Sequence, residues 1–222
     1  MSVDARPGEP PRTCTLCPRL HQFLENWRAR EPEWFNAPVP TFSPSAGEDK
    51  ARLLIVGLAP GLRGANRTGR PFTGDYAGTL LYDTLIFHGF ATGHFDARID
   101  DSLELTDAAI VNAVRCVPPE NKPIGSEINT CRDAYFRPTI ERFDNIRAIV
   151  TLGTIAHQST VRALGLKVKD HPFSHGAEQD AGRYRIFSSY HCSRYNTNTG
   201  RLTEEMFVDV FRRVRAYLVS SE

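Results

Sequence analysis

The chain has 222 residues, a formal net charge of +1 and a hydrophobic fraction of 41%. That length fits one domain, and that composition supports a packed core and excludes both a disordered chain and a polycation. No apolar run approaches the roughly 20 residues of a membrane span, and MSVDARPGEPPRTC at the start holds no apolar signal segment, so the expectation is a cytoplasmic monomer with no membrane partner.

Residues 1–12 carry Pro7, Pro10 and Pro11 without an apolar pattern and read as a flexible tail, which leaves residues 13–222 as a single domain. Cys14 and Cys17 form a C-x-x-C. Pro18 with Leu20, Phe23, Leu24 and Trp27 then predicts a helix. Prolines from Pro32 to Pro44 make the next segment an extended connector. The apolar run at residues 53–56 is long enough for a buried strand. It opens into a loop containing Gly57, Gly61, Gly64, Gly69 and Gly74, where a ligand can approach the main chain closely. Arg63, Arg67 and Arg70 lie in that loop, and no acid precedes Asp75. The loop is not a P-loop, because no Gly-Lys-Ser/Thr follows, and it lacks the G-x-G-x-x-G dinucleotide spacing.

Leu80, Leu81 and Leu85 mark a helix ending near Gly89, and residues 90–106 read as irregular. A second buried strand is expected at 107–114, running into Arg115, Cys116 and the segment up to Pro123. Ser126 is placed to cap a helix carrying Ile128, Cys131 and Tyr135, with Pro138 kinking or restarting it. A third strand is expected at 147–152, a helix at 154–164 stopped by Gly165, a loop at 171–182, and a fourth strand at 184–190. Thr203 caps the last helix, which has a wide apolar face. Strands alternating with helices indicate an α/β fold with a parallel sheet covered on both faces. Sites in such sheets form beyond the carboxyl ends of the strands. The segments after Gly57, Asn112 and Tyr190 should therefore converge.

Cys14, Cys17, Cys116 and Cys131 make a set of four thiols suited equally to tetrahedral zinc or to a [4Fe–4S] cluster. Five cysteines in an intracellular chain point to metal or redox chemistry rather than a disulfide framework. Cys192 reads as a packing residue, since neighbours on an extended chain point to opposite sides and a Cys–His pair with His191 is disfavoured.

GLAPG at 57–61, NRTGRPFTGD at 66–75 and YHCSRYNTNTGRLT at 190–203 together resemble the family 5 uracil-DNA glycosylases, the UDGb group. NAVRCVPPENKP at 112–123 is similar to the segment that carries the third cluster cysteine in families 4 and 5. The similarity extends from Cys14 to the last helix. It implies a uracil-DNA glycosylase-like fold, three layers α/β/α around a four-stranded parallel sheet, with a [4Fe–4S] cluster on Cys14, Cys17, Cys116 and Cys131. It also implies damaged DNA as partner and excision of uracil and other altered bases, such as hypoxanthine or ethenocytosine. There are departures from the wider superfamily. Leu58 stands where family 4 members typically carry an acid. Ala59-Pro60-Gly61 offers no water-activating Asp, and the usual His-Pro-Ser reads His191-Cys192-Ser193. Asp75 is left as the carboxylate, and narrow uracil specificity is not expected.

Cleaving a base from deoxyribose places positive charge on the sugar and negative charge on the base. In that chemistry His191 donates to a base oxygen and Asp75 positions or activates water. Phe72 stacks on the flipped base, and Asn112 or Asn121 reads its polar edge. Backbone amides of Gly57 and Leu58 contact it. Arg63, Arg67, Arg70, Arg194 and Arg201, in two acid-free loops, grip phosphates, and Arg194 or Tyr195 wedges into the duplex. Asp75 also stands where an Asp commonly caps a helix. Two other functions remain compatible with parts of this set. One is a serine hydrolase using Asp75, His191 and Ser193, which lacks the G-x-S-x-G elbow; the other is a metal-containing damage-binding protein that does not excise.

Overall fold

The structure, a computed structural model, describes residues 6–220. Its elements in chain order are α1 Pro18–Arg30, β1 Leu53–Gly57, α2 Ala65–Thr68, α3 Tyr76–Phe87, β2 Ala91–Thr92, β3 Glu104–Leu105 and β4 Ala108–Asn112. There follow α4 Gly125–Cys131, α5 Arg137–Arg142, β5 Ala148–Leu152, α6 Thr154–Ala163, β6 Glu178–Ala181, β7 Tyr184–Ser189, α7 Arg194–Asn198 and α8 Glu204–Ser220.

Strands β1, β4, β5 and β7 are fully or nearly fully buried apolar runs, the pattern of a sheet covered on both faces. They pair in parallel in the order β4-β1-β5-β7, with Leu53 opposite Ala108 and Ala148. Alternate residues point to opposite faces. Leu53 and Ile55 pack under α3 and α8 with Leu81, Phe207 and Phe211, whereas Leu54 and Val56 pack under α5 and α6 with Ile140 and Val161. The result is the expected three-layer α/β/α arrangement. The sheet has a fifth strand, however. β6 lies within the segment expected to be loop and pairs antiparallel with β7 at the edge. Its sequence, EQDA, is polar and mostly exposed, so it carries no apolar signal; its partner's backbone makes it a strand.

Other differences are local. Residues 90–106 contain the short antiparallel ribbon of β2 and β3. α4 begins one residue before Ser126, after Ile124, whose amide donates to the Glu127 carboxylate at 2.9 Å. A π-turn at Arg132–Phe136 precedes Pro138 and absorbs its missing donor. Thr203 caps α8 as expected, accepting from the Met206 amide at 3.2 Å. Part of the expected tail, residues 1–5, lies outside the described residues. From Arg6 onward the segment is anchored. Gly8 packs against Thr139 so closely that an added Cβ would meet Thr139 Oγ1 at 2.4 Å. Glu9 lies 3.5 Å from Arg115 and 3.0 Å from Arg142.

Candidate active site

Beyond the carboxyl ends of β1, β4 and β7 lies a pocket of about 310 Å³. Leu58, Phe72, Asp75, Asn112, Asn121 and His191 all line it, so the three polar segments do converge on one edge. Gly57 is the exception among the expected base contacts. It closes β1, and an added Cβ there would stand 2.4 Å from Asn112 Oδ1 and 2.9 Å from Phe72 Cζ. Its carbonyl accepts from the Ala113 amide at 2.9 Å. Gly57 therefore lies behind the wall rather than in it, and glycine is required because two lining side chains press on its α-carbon.

Asp75 stands at the N-cap position of α3 with extended backbone, but its side chain forms no cap hydrogen bond. Oδ1 is buried with no partner among the described residues. Burial pushes the carboxyl above the usual carboxylate range, and the nearby amides of Ala77 and Gly78 offset part of that. On the other side Gly64 packs against the carboxylate, where an added Cβ would meet Oδ2 at 2.5 Å. The carboxyl thus stands near the Ala77 and Gly78 amides of the first turn of α3 without closing a full cap hydrogen bond. The carboxyl group lines the pocket, while Oδ1 itself is shut off from solvent.

His191 follows β7 and faces the same space. Enclosure by protein atoms pushes its pKa down to about 4, so the imidazole is neutral at ordinary pH. The Phe72 ring lies 5.9 Å from it, centroid to centroid, with 28° between the planes. That gap is narrower than the about 7 Å needed to hold a base between two rings at van der Waals separation. A base on Phe72 therefore lies to one side and meets His191 by its edge. Phe72 has φ of +53°, an uncommon left-handed conformation for an aromatic residue, and Asn121 at the pocket mouth has φ of +58°. Strained residues of this kind persist only where their surroundings hold them.

The contact of Gly64 with Asp75 is not readable from the sequence, because nothing in its local spacing reports a carboxylate brought in by folding. Ser193 lines the pocket, but its Oγ accepts from the Asn196 amide at the start of α7, and no Ser–His hydrogen bond forms among the described residues. A nucleophilic serine activated by His191 has no geometric support here.

The arginines separate into two kinds. Arg63 and Arg67 are exposed beside the Asp75 loop, and Gly74 packs against the Arg67 guanidinium. Arg194 lies 5.0 Å above the Tyr76 ring, next to Asp75, and Arg201 lies 4.5 Å above the Tyr190 ring, next to His191. All four are exposed, as is Tyr195, at 72%. Arg70 does not join them, contrary to the expectation of a phosphate contact. It is 5% exposed, and its guanidinium is paired with Asp101 through bonds of 2.8 and 2.7 Å. The loop is acid-free in sequence only; the fold supplies the acid from elsewhere.

The four cysteines line a second, largely apolar pocket with Leu20, Val114 and Tyr135. The Arg115 amide donates to Cys131 Sγ at 3.3 Å, and Cys14 Sγ lies 3.3 Å from the Tyr135 hydroxyl. Among the described residues no three His, Cys, Asp or Glu donors are already drawn together as a metal-ion site. Burial, with the neighbouring thiols second, pushes Cys116 up and Cys131 up to about 11. Four thiols gathered on one apolar pocket, with an amide donor aimed at one sulfur, fit a thiolate-held metal group. Cys192 is elsewhere, buried beneath Asp75, with its thiol donating to the Ala77 carbonyl at 3.4 Å, as expected of a packing residue.

Among the described residues, no helix is long and apolar enough to cross a membrane. Comparison with known proteins agrees with the geometry. The Uracil DNA glycosylase superfamily model matches residues 44–215. A Type-5 uracil-DNA glycosylase from Thermus thermophilus is 41% identical over 209 residues, 91% of this chain and 92% of that protein. A Type-5 enzyme from Mycobacterium leprae is 41% identical over 212 residues, 90% of this chain and 89% of that protein. One from Pyrobaculum aerophilum is 36% identical over 207 residues, 91% and 88% respectively. On fold, pocket and similarity alike, this chain belongs to the type-5 uracil-DNA glycosylases of the uracil-DNA glycosylase superfamily.

Proposed function

We propose that this protein flips uracil out of DNA and hydrolyses its N-glycosidic bond, leaving an abasic site, and that it acts likewise on hypoxanthine and ethenocytosine. The observation that carries the reading is the convergence of Asp75, His191, Phe72, Asn112 and Asn121 on one pocket sized for a single heterocycle. The flipped base lies against Phe72, and Asn112 or Asn121 pairs with its polar edge through one amide donor and one acceptor. His191, neutral through burial, donates an N–H to the base oxygen on which charge develops. It does this as a neutral donor, carrying no positive charge of its own. Asp75, whose carboxyl group lines the pocket, orients the attacking water and faces the cationic sugar as that charge grows. Arg63, Arg67, Arg194 and Arg201 hold phosphates around the mouth without reading sequence, while Tyr195 or Arg194 fills the space the base vacates. The open walls at Leu58 and Ala59 place no charged group against the base, which suits substrates other than uracil.

A [4Fe–4S] cluster on Cys14, Cys17, Cys116 and Cys131 is part of the same reading. When bound, it would supply four iron–thiolate links joining the N-terminal turn to the chain beyond β4 and to α4. The protein acts as a monomer in the cytoplasm, on the nucleoid when bound to DNA.

The test is incubation with duplexes carrying uracil, hypoxanthine or ethenocytosine, followed by alkali. Strand breaks at the altered base are expected for all three. Unbroken strands from the uracil duplex, with binding retained, would favour damage sensing without excision.

A further inference from the structure

Arg70 is the cation that the fold withdraws from the DNA face, and its contacts show a different use. Nε donates to Thr73 Oγ1 at 2.8 Å, and Nη2 donates to the Arg98 carbonyl at 2.7 Å. The carboxylate of Asp101, whose side chain is fully buried, takes the other two bonds. Asp101 is itself fixed by the amides of Asp96 at 3.1 Å and Leu103 at 3.2 Å. The rings of Phe42, Tyr82 and Phe95 surround the guanidinium, with centroids 5.5 to 5.8 Å away.

This assembly brackets Phe72. On one side of it, the Pro71 carbonyl accepts from Tyr82 Oη at 2.6 Å and from Thr73 Oγ1 at 3.2 Å. On the other, Thr73 is tied to Arg70. Between them Phe72 holds its left-handed φ of +53°. Its carbonyl lies so close to Gly78 that an added Cβ would stand 2.0 Å from it. The first turn of α3, and with it Asp75, is therefore keyed to the same backbone. A conformation that is unfavourable when isolated is maintained here by interactions reaching across from the β2–β3 connection.

We propose that Arg70 and Asp101 are positioning residues for base excision. Their buried pair locks residues 71–75 so that Phe72 presents its ring to the flipped base and Asp75 faces the water site. This inference deepens the excision reading and rests on it for its catalytic meaning, but the lock itself is a property of the free protein. A bidentate guanidinium suits the role, because its planar fork satisfies Asp101, Thr73 and the Arg98 carbonyl together, whereas a lysine ammonium is a single point with three donors.

The experiment uses Arg70→Lys and Asp101→Asn in the full chain, choosing conservative changes because removing one partner of a buried pair outright can unfold the protein. Two readouts are taken on folded protein, shown by an unchanged far-UV spectrum. The first is the NMR signal of the His191 ring in the absence of DNA, which senses the neighbouring Phe72 ring. Both variants are expected to shift it. The second is single-turnover uracil excision, expected to fall about 10²-fold, with the salt dependence of DNA binding unchanged. In a Phe72→Ala background, Arg70→Lys should cost much less than it does alone, a coupling that a general loss of stability would not produce. An unmoved His191 signal in both variants overturns the lock, whether or not the wild-type protein excises uracil. A salt slope reduced by about one unit in Arg70→Lys, with excision lowered only through weaker binding, overturns it too and returns Arg70 to the phosphates. If the wild type leaves uracil in place while His191 still shifts in both variants, the lock stands and the excision reading fails.

Discussion

The base pocket and the cysteine pocket share one stretch of chain, from Asn112 to Cys116, yet burial has opposite consequences in them. In the base pocket it leaves His191 neutral and raises the Asp75 carboxyl, the state in which the proposed reaction would meet a flipped base. In the cysteine pocket it pushes Cys17, Cys116 and Cys131 up and holds them as thiols, a state that does nothing until a cation displaces the protons. One pocket is arranged for its ligand in advance. The other gathers four thiols that, under the proposed cluster, would act only once metal displaces their protons.

That contrast can be broken most visibly from the cysteine side. Protein purified without oxygen is expected to be brown, and Cys14→Ser or Cys131→Ser should abolish the colour altogether, whereas Cys192→Ser should leave it intact. Colourless wild-type protein with one zinc per chain would replace the cluster with a single ion.

In the base pocket the largest effect belongs to Asp75. Asp75→Asn is expected to slow single-turnover excision by about 10²–10⁴-fold while binding to uracil-containing DNA survives or improves. Because Asn caps helices nearly as well as Asp, a near wild-type rate would move the water-handling role to the segment from Asn112 to Asn121. His191→Ala should cost about 10²–10³-fold, through loss of the donor to the departing base.

A smaller effect sharpens the contrast in protonation. The unfolded chain protonates His191 near its ordinary value of 6.5, whereas the folded protein resists until about 4. The stability contributed by the neutral ring is thus fully present above that ordinary value and is lost as pH falls through the window between the two. Asp75, shifted upward, works with opposite sign: its contribution is present at low pH and is lost as pH rises through its folded value. Melting temperature followed between pH 7 and 4 should fall more steeply for wild type than for His191→Gln; parallel curves would show that the ring is not enclosed. The smallest effect is at the mouth. If Arg63, Arg67, Arg194 and Arg201 each neutralise one phosphate, the log–log salt slope of DNA binding should be about −3.6, and should lose about one unit with each of them replaced.

Much of this was legible in the residues. Apolar runs marked β1, β4 and β5, because strands buried on both faces are largely apolar, and the fourth, β7, was placed by Tyr184, Ile186 and Phe187 despite its Arg185, Ser188 and Ser189. The motif segments carried Asp75, His191, Phe72, Asn112 and Asn121, and an α/β sheet brings loops after parallel strands to one edge. Edge strand β6 was not legible, since a polar strand of four residues is made by its neighbour's hydrogen bonds. Nor was the separation of the arginines. Composition along the chain shows which loops lack acids, but charge is balanced in space, and Asp101 reaches Arg70 only after the β2–β3 connection folds over the loop. The same holds for Gly64 against Asp75 and for Gly8 against Thr139. Sequence by itself determined the kinds of groups available and the sheet edge at which they meet. Tertiary structure alone decided which of them are exposed, which are neutralised and which are held under strain, because burial and pairing depend on segments distant along the chain.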